Sequence, residues 1–288
     1  MLFRSARAAT TVARAATTVA AATAAEPTMG DGSGARASLT PADGAGAGMD
    51  VGERLRLPLT ALVILLPLGL LGEFARWVDD PAPGQPRPEL LADPLLSSLG
   101  GLIGLDRPWM ALVVLVVWCL LVQVCGRRPW KGPSLGLVGI AIGWGLVWAV
   151  ARCAIAFASH HLGAGIAAVN DGVVATGGLL ASGALQEELL FRGLVLGGLL
   201  WLTLVMEVPT WLRWVGCIAV SAVFFSLAHT GIVNHHAGAE AFRWAAFGER
   251  TAAGVLYGYV FVRQGLAVST LAHLGYLVAL EVGLGRWL

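Results

Sequence analysis

Seven stretches of this chain are apolar enough to be read as membrane-spanning helices: roughly 57–73, 109–125, 135–158, 173–204, 211–229, 251–262 and 266–284. A hydrocarbon core about 30 Å thick takes about 20 apolar residues of helix. Inside it the backbone N–H and C=O groups must be satisfied within the structure, because no water is there to do so. The expected fold class is therefore all-α, a polytopic transmembrane helix bundle of about seven spans. Composition points the same way. The 288 residues are 57% hydrophobic and 13% charged, where a soluble domain carries about 25% charge. Nineteen basic against eighteen acidic residues leave a net charge of +1. That excludes a disordered chain and a soluble enzyme of ordinary composition. It also excludes a nucleic-acid partner, which needs a basic surface.

The chain divides into three parts. Residues 1–50 are rich in Ala, Thr and Gly, with Arg4, Arg7 and Arg14 and no acid before Glu26. This is the pattern of an organellar transit peptide, of a disordered tail, or of an overextended start with Met29 or Met49 as initiator. Residues 51–134 hold two N-terminal spans joined by a polar loop containing Pro81, Pro83, Pro86 and Pro88. Residues 135–288 hold the remaining five spans. The sixth apolar segment is short, and 230–250 reads as a stretch along the membrane interface. His160, His161, His235 and His236 read as loop residues. Three GxxxG pairs, Gly139–Gly143, Gly193–Gly197 and Gly254–Gly258, are candidates for close helix packing. The four cysteines show no CxxC spacing, so neither a disulfide framework nor a cysteine metal site is expected. Gly132-Pro-Ser134-Leu-Gly136 matches GxSxG but opens an apolar helix, without the strand-to-helix elbow of a serine nucleophile.

Ionisable side chains inside a span cost about 2.5–3.5 kcal/mol on insertion scales and are functional candidates by default. The fourth span contains Gln186-Glu187-Glu188-Leu-Leu-Phe-Arg192. Glu188 and Arg192 are four residues apart and share a helix face. Each lowers the cost of burying the other. Glu187 points about 100° away from Glu188 and has no partner on its own helix, which suits a general base. A purely structural knot of charges is the alternative. His229 closes the fifth span and His273 lies within the last. One glutamate and two histidines are what a bound water or a zinc ion needs. Arg152, in the third span, either pairs with a carboxylate or snorkels to the interface.

The motif Glu187-Glu-Leu-Leu-Phe-Arg192 resembles the EExxxR of the CPBP intramembrane proteases, the CAAX prenyl protease type II (Ras-converting enzyme) family. Phe225-Ser-Leu-Ala-His229 resembles its FxxxH, and His273 stands where its third motif, HxxxN or HxxxD, begins. The match covers about residues 135–284, making 135–288 the protease-like domain, with the active site buried among the last four spans. The resemblance implies an integral, multi-pass membrane endopeptidase acting on hydrophobic or lipidated substrates, in the family's known cases prenylated CAAX proteins. The membrane is the plasma membrane in a bacterium, or an organellar one if the N-terminus is a transit peptide.

By position, the resemblance implies that Glu187 activates water and His229 fixes that water or a metal. Glu188 and Arg192 hold the helix geometry, and His273 stabilises the oxyanion. Zinc, if the enzyme is metal-dependent, falls to Glu187, His229 and His273. The family's third motif ends in Asn or Asp, but position 277 here is Leu. That departure keeps open a catalytically inactive immunity or binding protein of the same family. Buried Glu, His and Arg also keep open a proton-coupled transporter.

Overall fold

The computed structural model describes residues 49–78, 109–161, 177–231, 233 and 241–282. The regular elements in them are helices. A short helix, α1 (Val51–Leu55), precedes α2 (Pro58–Val78), α3 (Met110–Cys125), α4 (Leu135–His161), α5 (Gly177–Val205), α6 (Thr210–Ala228), α7 (Trp244–Gln264) and α8 (Leu266–Glu281). Helices α2 to α8 fall in turn on the seven apolar stretches. Among the described residues α2, α4, α5 and α6 have the length and hydropathy to cross a membrane, and α3 and α8 are shorter apolar helices.

The bundle is turned inside out relative to a soluble protein. On α4 the residues Ala141, Gly145, Ala149, Arg152 and Ala156 face inward at steps of four and three. Its outward stripe is Ile140, Trp144, Val147 and Val150, all exposed. The apolar face looks out and the charge looks in, the reverse of an amphipathic surface helix in water. Monomeric soluble proteins do not expose apolar patches of this extent. The protein is an integral multi-pass membrane protein, as its composition requires. Trp77, Trp109, Trp130 and Trp211 stand exposed at helix ends, where an aromatic belt meets the headgroups.

Helix α8 is the centre of the bundle, packed on α4, α5, α7 and α2. Small residues bring these helices close. A Cβ on Gly275 would lie 2.8 Å from Cβ of Ala149, and one on Gly72 would lie 2.4 Å from Cβ of Ser182. Of the three expected GxxxG pairs, Gly254–Gly258 serves this purpose: a Cβ on Gly254 would come within 2.8 Å of Cα of Ala222. Gly139 and Gly143 have nothing within 4 Å and face outward. Gly197 meets only the Arg192 carbonyl, at 3.5 Å. The motif does not say which face of a helix turns inward.

Gly265 joins α7 to α8 with φ +88° and ψ 176°, a conformation open in practice only to glycine. It sits against the Leu55 carbonyl at the end of α1. Ser134 accepts a hydrogen bond on Oγ from the Leu137 N–H at 3.3 Å, so the GxSxG match is a helix cap.

Two expectations are corrected. The sixth segment is not confined to 251–262. It is a continuous 21-residue helix beginning at Trp244. Its polar first half is accommodated because Glu249 pairs with Arg152 inside the bundle. His160 and His161 are not loop residues but the last turn of α4, where the His161 ring packs on Phe157. Residues 1–48, the proline-rich connection, His235 and His236 lie outside the described residues.

Packing makes a prediction. Gly254→Ala forces α6 and α7 apart and should cost about 1–3 kcal/mol, as overpacking does. Gly139→Ala adds a methyl to open space and should leave stability unchanged or raise it by about 0.5–1 kcal/mol. Thermal melts of the two variants in one detergent measure the difference.

Candidate functional site

The site is assembled from α5, α6, α7 and α8, and its shape begins with a break in helix period. Helix α5 is α-helical over Gly177–Glu188, π-helical over Leu189–Leu196 and α-helical again over Gly197–Val205. The change falls directly after the two glutamates. π turns are rare and concentrate at functional sites. They rearrange the carbonyl ladder, and here neighbours cap it. Ser221 of α6 donates to the Phe191 carbonyl at 2.9 Å, and the Trp118 indole of α3 donates to that of Gly193 at 3.1 Å. No sequence signal marked this segment.

Glu188 is the hub. It and Arg192 have no exposed side-chain surface, and they pair at 3.3 Å as their spacing predicts. His273 lies with Nδ1 3.1 Å from Glu188 Oε1, and Ser269 donates its hydroxyl to Glu188 Oε2. Arg192 in turn donates to the Gly254 carbonyl of α7 at 3.4 Å and lies over the Phe225 ring of α6 at 4.4 Å. One carboxylate and its cation thus tie four helices together. Ser269 was not anticipated. The available signal was its place four residues before His273, on the same face of α8.

Glu187 stands apart from this network. Its Oε2 is buried without a hydrogen-bond partner. It lies 3.7 Å from Nε2 of His229 and 3.9 Å from Nε2 of His273. His229 holds its Nδ1 2.8 Å from the Phe225 carbonyl. A carbonyl can only accept, so this Nδ1 carries the hydrogen. His273 is oriented in the same way by the Glu188 carboxylate. In the neutral rings both Nε2 atoms are therefore bare acceptors. Three acceptors meet at separations too long for direct hydrogen bonds and suited to a bridging water. The Glu187 and His229 side chains remain partly open, at 14% and 20% exposure, so water can enter.

The structure thus brings together Glu187, Glu188, Arg192, His229 and His273. Leu277 is half-buried, one turn beyond His273, and offers no polar group there. Tyr276 is buried beneath the Arg152 guanidinium, 4.0 Å from its ring centre. Of its two expected fates, Arg152 takes the pairing, with Glu249 of α7. The Glu187, His229 and His273 atoms have the right donor chemistry for zinc, with His–carboxylate support behind. Their spacing is looser than that of a ligand set. Among the described residues no group of three or more His, Cys, Asp or Glu is placed to hold a metal ion.

Residues 171–278 match the sequence model of a protein family described as Rce1-like, type II CAAX prenyl endopeptidase Rce1-like. The matched segment holds every residue of the constellation above. No curated protein and no solved structure matches the chain.

Arg192→Ala would leave the Glu188 charge buried without its partner, which costs about 3–5 kcal/mol. A large drop in melting temperature or in folded yield is expected. Glu187→Gln removes no direct bond and should melt like the parent. Side-by-side melts in detergent check both.

Proposed function

We propose, from the premise that residues 171–278 belong to the Rce1-like family of type II CAAX prenyl endopeptidases, that this chain hydrolyses peptide bonds of membrane-associated, prenylated CAAX-type substrates with water activated by Glu187. One observation carries the reading. Glu187 Oε2 and two imidazole Nε2 atoms face one another at 3.7 and 3.9 Å, beside a fully paired second glutamate.

Water placed there gives one hydrogen to Glu187 and the other to the bare Nε2 of His229, and turns a lone pair outward. As that oxygen attacks the scissile carbonyl carbon, one of its protons passes to Glu187. The carbonyl electron pair moves onto its oxygen. Collapse of the tetrahedral intermediate breaks the C–N bond, and the departing nitrogen takes the proton back from Glu187. His229, held by the Phe225 carbonyl, orients the water. His273 stands at the oxyanion; when it takes a proton from the medium its Nε2–H can donate there, with Glu188 balancing the charge. Glu188 and Arg192 fix the helices and the His273 ring. Were zinc resident, Glu187, His229 and His273 would be the residues to hold it, in a closer arrangement than their present spacing, and it would supply Lewis acidity.

Leu277 supports a second reading, a catalytically inactive binding protein of the same family. The purified protein should release a C-terminal peptide from a prenylated CAAX peptide in detergent, and Glu187→Gln should lower that rate by about 10²–10⁴-fold. A variant as fast as the parent would refute the role of Glu187. No release by the parent itself would favour the inactive reading. A zinc chelator separates the two chemistries. Rates that survive it assign the activation to Glu187 alone, and rates lost and then restored by zinc assign the metal to the three side chains.

A further inference from the structure

Besides the acceptors of the site, two buried side chains packed against α8 at His273 and Tyr276 carry donors without acceptors. The Tyr257 ring of α7 stacks on the His273 imidazole, with centroids 4.8 Å apart and planes inclined by 21°. Tyr257 is 1% exposed, and its hydroxyl has no hydrogen-bond partner. Arg152 is 5% exposed, and its Nε and Nη1 are likewise without acceptors, although Nη2 pairs with Glu249. The Arg152 guanidinium lies over Tyr276, which shares a face of α8 with His273 three residues before it. Tyr257 and Arg152 thus pack on neighbouring positions of one turn of α8, at His273 and at Tyr276. A buried donor left unpaired costs about 1–3 kcal/mol, and each such group asks for an explanation.

An oxyanion needs donors; protonated His273 supplies one, while Glu187 and the neutral rings of His229 and His273 provide acceptors. Leu277, on the face of α8 that carries His273, provides neither. We infer that the Tyr257 hydroxyl, backed by Arg152, is the donor side of the site and binds the carbonyl oxygen of the bond to be cut. The ligand class is an acceptor-only oxygen, a peptide carbonyl becoming an oxyanion. The inference rests on the hydrolytic reading above. It adds a catalytic residue on α7 and a charged supporter on α4, and neither belongs to the three motifs.

The test is Tyr257→Phe in the full-length protein, which keeps the ring stacked on His273 and removes only the hydroxyl. Loss of an oxyanion donor lowers kcat by about 10²–10³-fold, with KM unchanged and the melting temperature as in the parent. Adding Leu277→Asn to Tyr257→Phe places an amide donor one turn beyond His273 and should recover part of the lost rate. A Tyr257→Phe enzyme with the parent's kcat overturns the inference. So does a loss confined to KM, or a failure of Leu277→Asn to recover any rate. Glu187→Gln, assayed alongside, keeps the two levels apart. If it is inactive while Tyr257→Phe is normal, the hydrolytic reading stands and the donor assignment falls. If Glu187→Gln cleaves as fast as the parent, the hydrolytic reading itself falls.

Discussion

A carboxylate with no exposed surface, in the middle of an apolar bundle, is the constraint to which the rest of this structure answers. Glu188 can be there because Arg192, His273 and Ser269 surround it. His273 and Ser269 belong to α8, which must then stay in register with α5. Arg192 extends the tie to α7 through the Gly254 carbonyl and to α6 through the face of Phe225. Lipid offers little hydrophobic drive for one apolar helix to choose another, so packing and polar contacts carry the choice. The close approach at Gly254 and the Glu188 network therefore act together. The glycine lets α7 come near α6, and the Arg192 bond requires it to be near.

That network frees the neighbouring residue. Glu187 and Glu188 are adjacent in sequence, yet one is fully paired and the other is left with an orphan oxygen between two imidazoles. The π turn that begins at Leu189 follows both. Each imidazole is fixed through Nδ1, by a carbonyl in one case and by Glu188 in the other. The paired glutamate thus sets the direction in which the unpaired one's partner points. A second buried pair, Arg152 with Glu249, lies against Tyr276, three residues beyond His273 on α8. Unpaired acceptor and unpaired donor atoms thus both occur close to His273, the donors in the drier part.

The parts of the fold that were legible came from length and apolarity, and the misreadings came from charge. Helices α2 to α6 and α8 lie close to the apolar runs that announced them. Helix α7 was curtailed because Glu249 and Arg250 interrupt its run, although Glu249 is in fact carried inward to Arg152. Whether a charge ends a span or is buried within it depends on a partner from another helix, here more than ninety residues away in sequence. The Gly139–Gly143 pair failed for a related reason. Gly139 and Gly254 look alike in sequence, but one faces outward and the other meets Ala222.

By itself, the sequence determined that the chain is a membrane helix bundle, because 57% hydrophobic and 13% charged residues admit no soluble core of this size. It also determined which side chains were costly enough to demand a purpose: Glu187, Glu188, Arg192, His229, His273 and Arg152. The i,i+4 spacing determined the Glu188–Arg192 pair, since that contact is local to one helix. Only the tertiary structure decided that Glu187 faces both histidines, that Ser269 and His273 close around Glu188, and that Arg152 meets Glu249. It alone brought Tyr257 onto His273 with its hydroxyl unpaired. Those contacts cross between helices. Their geometry follows from crossing angles, from one left-handed glycine at 265 and from a π turn, none of which is written in the spacing of any single run.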